Sequence, residues 1–451
     1  MAVLPAAGRA AAPRPRLDPR RPGRQSTFPT NAPEHTPRMP SPPPRCFLFL
    51  QGPIGPFFAE MAAGLRALGH QTRRINLSLG DRLFWDGSDA TDFRGRAMDW
   101  PGFIAAYLER EQVTDLVLLG EQRPYHLVAI AEARARGIAV TVTDYGYLRP
   151  DWIVLERDAM GAGSRFPRDP AAILTLAENC PAIDPTPRYA DDFALQARWD
   201  VTAHLASLLP WPFPHYESYL LHHPVPAYLG TGLRLWRRRA ETAKAARLLA
   251  ELAPHGPLWL FAMQMENDYS IRAYSDFADN DSALRAVLGS FARGAPADGR
   301  LLVKVHPLDP GLKRWGSRLA RLAAEAGLAG RVHLLDGALP AEPAILACRG
   351  TVTINSTLAV QAIALGRPVM ALGRAIYQVP GLTWLGERDA FWQAAPPPEP
   401  HLADAFLRAI AACLHVRGRF YGRPGLDVAV AGAVRRLHLG MVNQPLPDVI
   451  L

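Results

Sequence analysis

The stretch TDLVLLGEQRPYHLVAIAEARARGIAVTVTD, residues 114–144, decides the fold of this chain. An aliphatic run ends at Gly120, a helical pattern ends at Gly137, and a β-branched run ends at Asp144. Both strand patterns are apolar throughout. Strands of that kind are buried on both faces, as in a parallel sheet covered by its crossover helices. The alternation extends upstream. CFLFLQG (46–52) reads as a strand, 57–68 as a helix stopped by Gly69, QTRRINL as a second strand and PGFIAAYLEREQ as a helix, with 78–99 irregular between them. Downstream, Arg149-Pro150-Asp151-Trp152 interrupts regular structure, and the alternation lapses after Leu155.

A helix is expected over 188–207, then the Pro- and aromatic-rich connection PWPFPHYESYLLHHPVP, then a helix over RLWRRRAETAKAARLLAEL. Alternation then resumes: PLWLFAM, a helix near 281–293, RLLVKV, a helix near 311–326, RVHLL, GTVTI, a helix over 357–365 and PVMAL. The fold class is therefore α/β, with two doubly wound, Rossmann-like domains facing a cleft. That is the GT-B plan of many nucleotide-sugar transferases. The expected division is a tail (1–45), an N-terminal domain (46–235), a C-terminal nucleotide-binding domain (236–400), and helices over 401–451 that pack back on the first domain.

At 451 residues the chain is too long for one ordinary core. Its 49% hydrophobic and 20% charged residues suit a soluble globular protein. No apolar run approaches the roughly 20 residues of a membrane helix. The four cysteines, Cys46, Cys180, Cys348 and Cys413, are widely spaced and read as buried thiols, without a disulfide or zinc framework. The net charge is +8, of which residues 1–45 hold +6 (eight Arg against Asp18 and Glu34), leaving +2 for the rest. The basicity is a property of the tail, so nucleic acid is not an expected partner. With twelve prolines and no continuous apolar segment, the tail is expected to be solvated and not a secretory signal.

Six polar clusters follow strands, where ligands sit in such sheets. In QGPIGP, Gly52 and Gly55 either admit a ligand to the backbone or make a tight turn. In GEQRPYH, Arg123 suits a carboxylate or phosphate, and His126 opens a helix; packing is the competing reading. Asp144 is a base, a nucleophile or a loop cap. In KVHPLDP, Lys304 and His306 flank a strand end, and Lys304 is one of only three lysines, which marks it out. In NSTLAVQAIALG, Asn355, Ser356 and Thr357 start a helix and either cap it or hold a phosphate. In FAMQMENDYSIR, Gln264, Asp268 and Arg272 form a polar loop.

In order along the chain, FLQGPIGPFFAEMAAGLRALGH, RINLSLGDRLFW, FRGRAMDWPGF, TDLVLLGEQRPYH, DYGYLRPDWIVLE, KVHPLDP and NSTLAVQAIALGRPVMALG resemble the capsular polysaccharide biosynthesis family of β-Kdo transferases, of the single-domain capsule-linker type. The resemblance covers roughly 48–380. It implies a GT-B fold, CMP-Kdo as donor substrate, no cofactor and no metal. His306 matches the family's His-Pro site on the CMP phosphate, Ser356 and Thr357 its hydroxyl pair, and Asp144 the first acid of its acidic motif. Tyr145 departs from that motif, standing where a second acid is usual.

The expected reaction is transfer of β-Kdo to a lipid-linked acceptor, with retention and without a metal. Asp144 and His306 are the catalytic candidates. Gly52, Gly55, Arg123, His126, Arg149, Lys304, Asn355, Ser356, Thr357, Gln264 and Asp268 are the substrate-binding candidates, with Arg123 or Arg149 on the Kdo carboxylate. The expected location is cytoplasmic, with peripheral contact at the inner membrane and with other capsule assembly proteins. Two alternatives remain open: a non-catalytic capsule assembly or export factor, and a transferase of another nucleotide sugar such as CMP-sialate.

Overall fold

The computed structural model describes residues 42–85, 87 and 89–446. The solvated tail expected over 1–45 thus falls almost wholly outside the described residues. Among the described residues twelve strands run through the unit Pro43–Leu451. They are β1 (Cys46–Phe49), β2 (Gln71–Asn76), β3 (Ala90–Asp92), β4 (Asp115–Leu119), β5 (Ala139–Tyr145), β6 (Trp152–Arg157), β7 (Leu258–Ala262), β8 (Arg300–Lys304), β9 (Val332–Leu335), β10 (Gly350–Thr353), β11 (Val369–Ala371) and β12 (His415–Arg417).

The first sheet has the order β12-β6-β5-β4-β1-β2-β3 and the second β11-β10-β7-β8-β9. The second is parallel throughout, as is the β3-β2-β1-β4-β5 part of the first. Counted within each half, both read 3-2-1-4-5. Two doubly wound, Rossmann-like sheets are thus present, as the alternation predicts. In this order the chain reverses direction between its first and fourth strands, which opens a crevice at the carboxyl ends. The crevices lie between β1 and β4 and between β7 and β10.

The strands are apolar because both faces are covered. Phe47 and Phe49 of β1 pack with the helix Phe57–Ala67, while Leu48 packs with Ile104, Leu116 and Val140 on the other side. In the second sheet Trp259 and Phe261 face Leu288 and Phe291, and Leu258 and Leu260 face Leu249 and Ile345.

Three local elements escape the pattern reading. The irregular 78–99 contains β3 and a helical turn, Leu79–Arg82. β6 follows the interrupted segment and pairs antiparallel with β5, Asp144 opposite Val154. The helices expected over 401–438 are split by β12, which pairs antiparallel with β6. A three-residue strand has no periodicity to read, and its pairing partner is more than 250 residues away.

Asp151 shows how that return is held. Fully buried, it accepts from Arg419 Nε at 3.0 Å and Tyr189 N at 3.1 Å, and it also takes Arg188 N. His415 braces the same loop: its Nε2 accepts from Tyr147 N at 2.8 Å while its Nδ1 donates to Ile410 O at 2.7 Å. Burial holds the His415 pKa down at about 3, so the ring is neutral and fits both bonds. The Pro- and Arg-rich run after Asp144 is therefore an anchor, tied down by the far end of the chain.

Candidate functional site

Asp144 lies at the carboxyl end of β5, half-buried. Its Oδ1 accepts from Tyr145 N at 2.7 Å. Burial raises its pKa from 3.8 to about 6; the Tyr145 N–H and Arg149 oppose the rise, and Asp268 adds to it. Arg149 lies over the Tyr145 ring at 5.0 Å, its rim exposed. Tyr145 packs edge-on against Phe420 at 5.2 Å.

At the end of β4, Arg123 stacks on Tyr219 at 4.1 Å and, among the described residues, makes no ion pair. His126 is corrected. It is wholly buried, its Nδ1 bonds Gly120 O at 2.7 Å, and burial lowers its pKa to about 3. It lies beneath the site and props the strand end, so the packing reading holds. The QGPIGP turn is corrected in the same way. A Cβ on Gly52 would stand 2.4 Å from the Phe58 ring, and one on Gly55 2.8 Å from Trp199. The rings of Phe58 and Trp199 pack against the two α-carbons, which fits the tight-turn reading of these glycines. Gln51 turns instead to Asp81 at 3.0 Å, in the capping box of INLSLGD.

The second sheet supplies a different chemistry. Lys304 is 5% exposed, and among the described residues its Nζ makes no hydrogen bond or close ion pair. Burial lowers its pKa, opposed by Asp336. Asp336 is already taken by Arg234, so the ammonium charge stays available. His306 Nδ1 accepts from Leu308 N at 3.2 Å, which leaves the ring proton on Nε2. Burial, then Lys304, lowers the His306 pKa to about 4, so the ring is neutral near pH 7. Lys304 carries the charge, and His306 offers an N–H.

Ser356 Oγ accepts from Leu358 N at 3.2 Å, at the start of the helix Leu358–Ala364. Thr357 makes no side-chain cap there. Gln264 and Asn355 are clasped together. Gln264 Nε2 donates to Asn355 Oδ1 at 2.8 Å and to Asp268 Oδ2 at 3.0 Å, and Asn355 N donates to Gln264 Oε1 at 2.9 Å. Both fix the ends of β7 and β10 and have little capacity left for a ligand. Asp268 Oδ1 also caps the helix Tyr269–Tyr274. Arg272 Nη1 donates to Glu266 O at 3.2 Å, so it braces its own loop.

Two halves become one site through their charges. Asp144 senses Asp268 of the second sheet, and His306 senses Arg149 of the first. Direct bonds join the rims: Gln122 Nε2 donates to Tyr274 OH at 2.9 Å, Tyr274 OH donates to Glu121, and Tyr269 OH donates to Tyr219 O at 2.8 Å. Sequence reading missed Glu121, buried with its pKa raised by desolvation. It also missed Asp200, whose pKa burial raises to about 6 and whose charge reaches the Tyr145 phenol. Asp200 sits in the helix Phe193–Ala206, away from any strand end, so no positional signal marks it. Among the described residues one carboxylate trio, Glu266, Asp279 and Asp281, is tight enough for an ion. Lys313 lies within 2.6–3.2 Å of all three, so its ammonium takes the place an ion would occupy. A cavity of about 500 Å³ lined by Asn76, Arg82, Trp85, Asp92 and Arg94 holds none of these strand-end residues.

Paired 3-2-1-4-5 sheets with facing strand ends define a GT-B-type protein, as the sequence pattern anticipates. The family described as capsule polysaccharide biosynthesis protein matches residues 114–421, and the chain belongs to it. The capsule polysaccharide export protein KpsS of Escherichia coli is 30% identical over 386 residues, spanning 83% of this chain and 96% of its own. The capsule polysaccharide modification protein LipB of Neisseria meningitidis serogroup B is 30% identical over 395 residues, spanning 83% and 91%. Among solved structures, the KpsC β-Kdo 2,7 transferase of Thermosulfurimonas dismutans aligns over 87% of this chain and 99% of its own, at 11% identity and TM-score 0.42.

Proposed function

We propose that the chain is a glycosyltransferase that moves β-Kdo from CMP-Kdo to a lipid-linked acceptor, with retention and without a metal. The observation that carries this reading is a half-buried carboxylate at the end of β5 that feels Asp268 of the second sheet, together with a buried lysine beside His306 that makes no hydrogen bond or close ion pair among the described residues. Lys304 Nζ and the His306 Nε2–H bind the phosphate that joins cytidine to sugar, with the Ser356 and Thr357 hydroxyls beside them. As the C–O bond to that phosphate breaks, its negative charge grows against Lys304. Ionised Asp144 attacks the anomeric carbon from the opposite face, and CMP departs with the bonding pair. The acceptor hydroxyl then displaces the carboxylate, its proton passing to a basic group such as Asp200. Two inversions give retention. Arg123 and Arg149 hold the sugar carboxylate. The bound phosphate raises the His306 pKa, so the ring gains a proton-donor role as CMP leaves.

A non-catalytic assembly or export role is the second reading. Tyr145 in place of the second acid favours it, as does the export role in the name of the Escherichia coli relative. Incubation of the purified protein with CMP-Kdo, CMP-sialate and a lipid-phosphate acceptor separates the readings. A Kdo-bearing product with release of CMP is expected. Binding of CMP-Kdo without turnover would replace the transferase by the assembly role, and product from CMP-sialate alone would replace the donor.

A further inference from the structure

The segment joining the two halves has two unlike sides. Toward the cleft, His204 bonds Tyr228 OH at 2.5 Å and Tyr219 OH at 3.2 Å, and Tyr219 underlies Arg123. Away from the cleft it is apolar and bare. Nine of the eighteen exposed large hydrophobic side chains among the described residues fall between 205 and 236. In the 29-residue helix Pro224–Leu252, Val225, Leu229, Leu233 and Trp236 fall on one stripe at i, i+4, i+8 and i+11. Leu229 and Trp236 are 71% and 79% exposed, and Trp211, just before the helix, is 81% exposed.

The opposite face of this helix is fully used. A Cβ on Gly230 would meet Pro310 O, Arg234 pairs with Asp336, and Ala245, Leu249 and Leu252 are buried. The stripe is therefore left over from folding, not part of it. Arg237 and Arg239 flank it, and neither makes an ion pair among the described residues. Across residues 201–240 Glu217 is the sole acid, against four arginines. Apolar side chains with tryptophan on one stripe and cations at its borders match a bilayer interface. The rings and aliphatics sink to the acyl boundary, and the guanidinium groups meet anionic headgroups.

We propose that this face, the Leu229–Leu233–Trp236 stripe with Arg237 and Arg239 at its borders, docks the protein on an anionic phospholipid surface. The cleft side of the same segment is then held close to lipid-borne substrate, a step that rests on the acceptor reading above. Docking itself rests only on the surface. The test is flotation of the full-length protein with vesicles of phosphatidylethanolamine and phosphatidylglycerol, against vesicles of phosphatidylcholine alone. Wild type is expected to float with the anionic vesicles. Arg237→Gln/Arg239→Gln is expected to bind them about thirtyfold more weakly. Leu229→Ser/Leu233→Ser/Trp236→Ser is expected to lose flotation while keeping wild-type circular dichroism. Flotation unchanged in both variants overturns the proposal. So does a wild-type dimer that ignores vesicles and that the serine variant splits. The functional reading fails separately: if no variant transfers sugar even to a short, water-soluble acceptor, the transferase assignment falls and docking stands.

Discussion

Asn in place of Asp144 should make the protein more stable and inactive, and the pH dependence of the gain distinguishes the cause. Asp144 is a carboxyl whose folded-state pKa is raised, from 3.8 to about 6. The fold therefore favours its neutral form. That stabilisation is present below pH 3.8 and is lost as pH rises through 6. At pH 8 the folded protein carries an ionised, desolvated carboxylate at a cost of about 3 kcal/mol, at 1.36 kcal/mol per unit. Asparagine keeps the Oδ1 that accepts from Tyr145 N and removes the charge. Asp144→Asn should then exceed wild type by up to about 3 kcal/mol at pH 8, by roughly half of that at pH 5, and by almost nothing near pH 3.8. Urea unfolding of both proteins across that range reads the difference directly. Equal stability at pH 8 would refute the premise that the cleft desolvates this carboxylate. A stabilised variant that still transfers sugar would keep the electrostatics and remove the nucleophile.

The partners of Asp144 should move its titration in opposite directions. The ascending limb of kcat/KM, expected near pH 6, should shift upward in Arg149→Gln and downward in Asp268→Asn, as a pH–rate profile would record. Lys304→Met should weaken CMP binding by about 10- to 100-fold, the worth of a charge-assisted hydrogen bond, without loss of stability. Calorimetric titration with CMP checks this, and unchanged affinity would take Lys304 off the phosphate. Asp151→Ala should cost about 3 kcal/mol, because it removes the buried acceptor of Arg188 N, Tyr189 N and Arg419, leaves Arg419 with only Asp191, and loosens β12 from β6. Urea unfolding measures that loss, and a cost below about 1 kcal/mol would show that the C-terminal strand is held by other contacts.

How much of this was legible depends on the range of the interaction concerned. The strand-end positions of Asp144, Lys304, His306 and Ser356 were legible because a strand followed by a polar residue is a local signal, and doubly wound sheets put ligands at such ends. The two-sheet plan was legible for the same reason: apolar runs alternating with helical periods leave few topologies. His126 and Gly52 were misread because local pattern cannot tell a side chain that meets solvent from one that meets a ring. The ring of Phe58 and the carbonyl of Gly120 decide those cases.

By itself, then, the order of residues determined the elements, the doubly wound class and the strand ends that carry polar chemistry. Those properties follow from periodicity and local sterics. Only the tertiary structure decided that Lys304 has no close partner among the described residues, that His306 is neutral, and that Asp200 stands near Tyr145. It also decided that β12 anchors the Asp144 loop and that one side of the connecting segment stays bare. Each of these depends on the low dielectric, charges and packing brought together from distant parts of the chain, which no window of sequence contains.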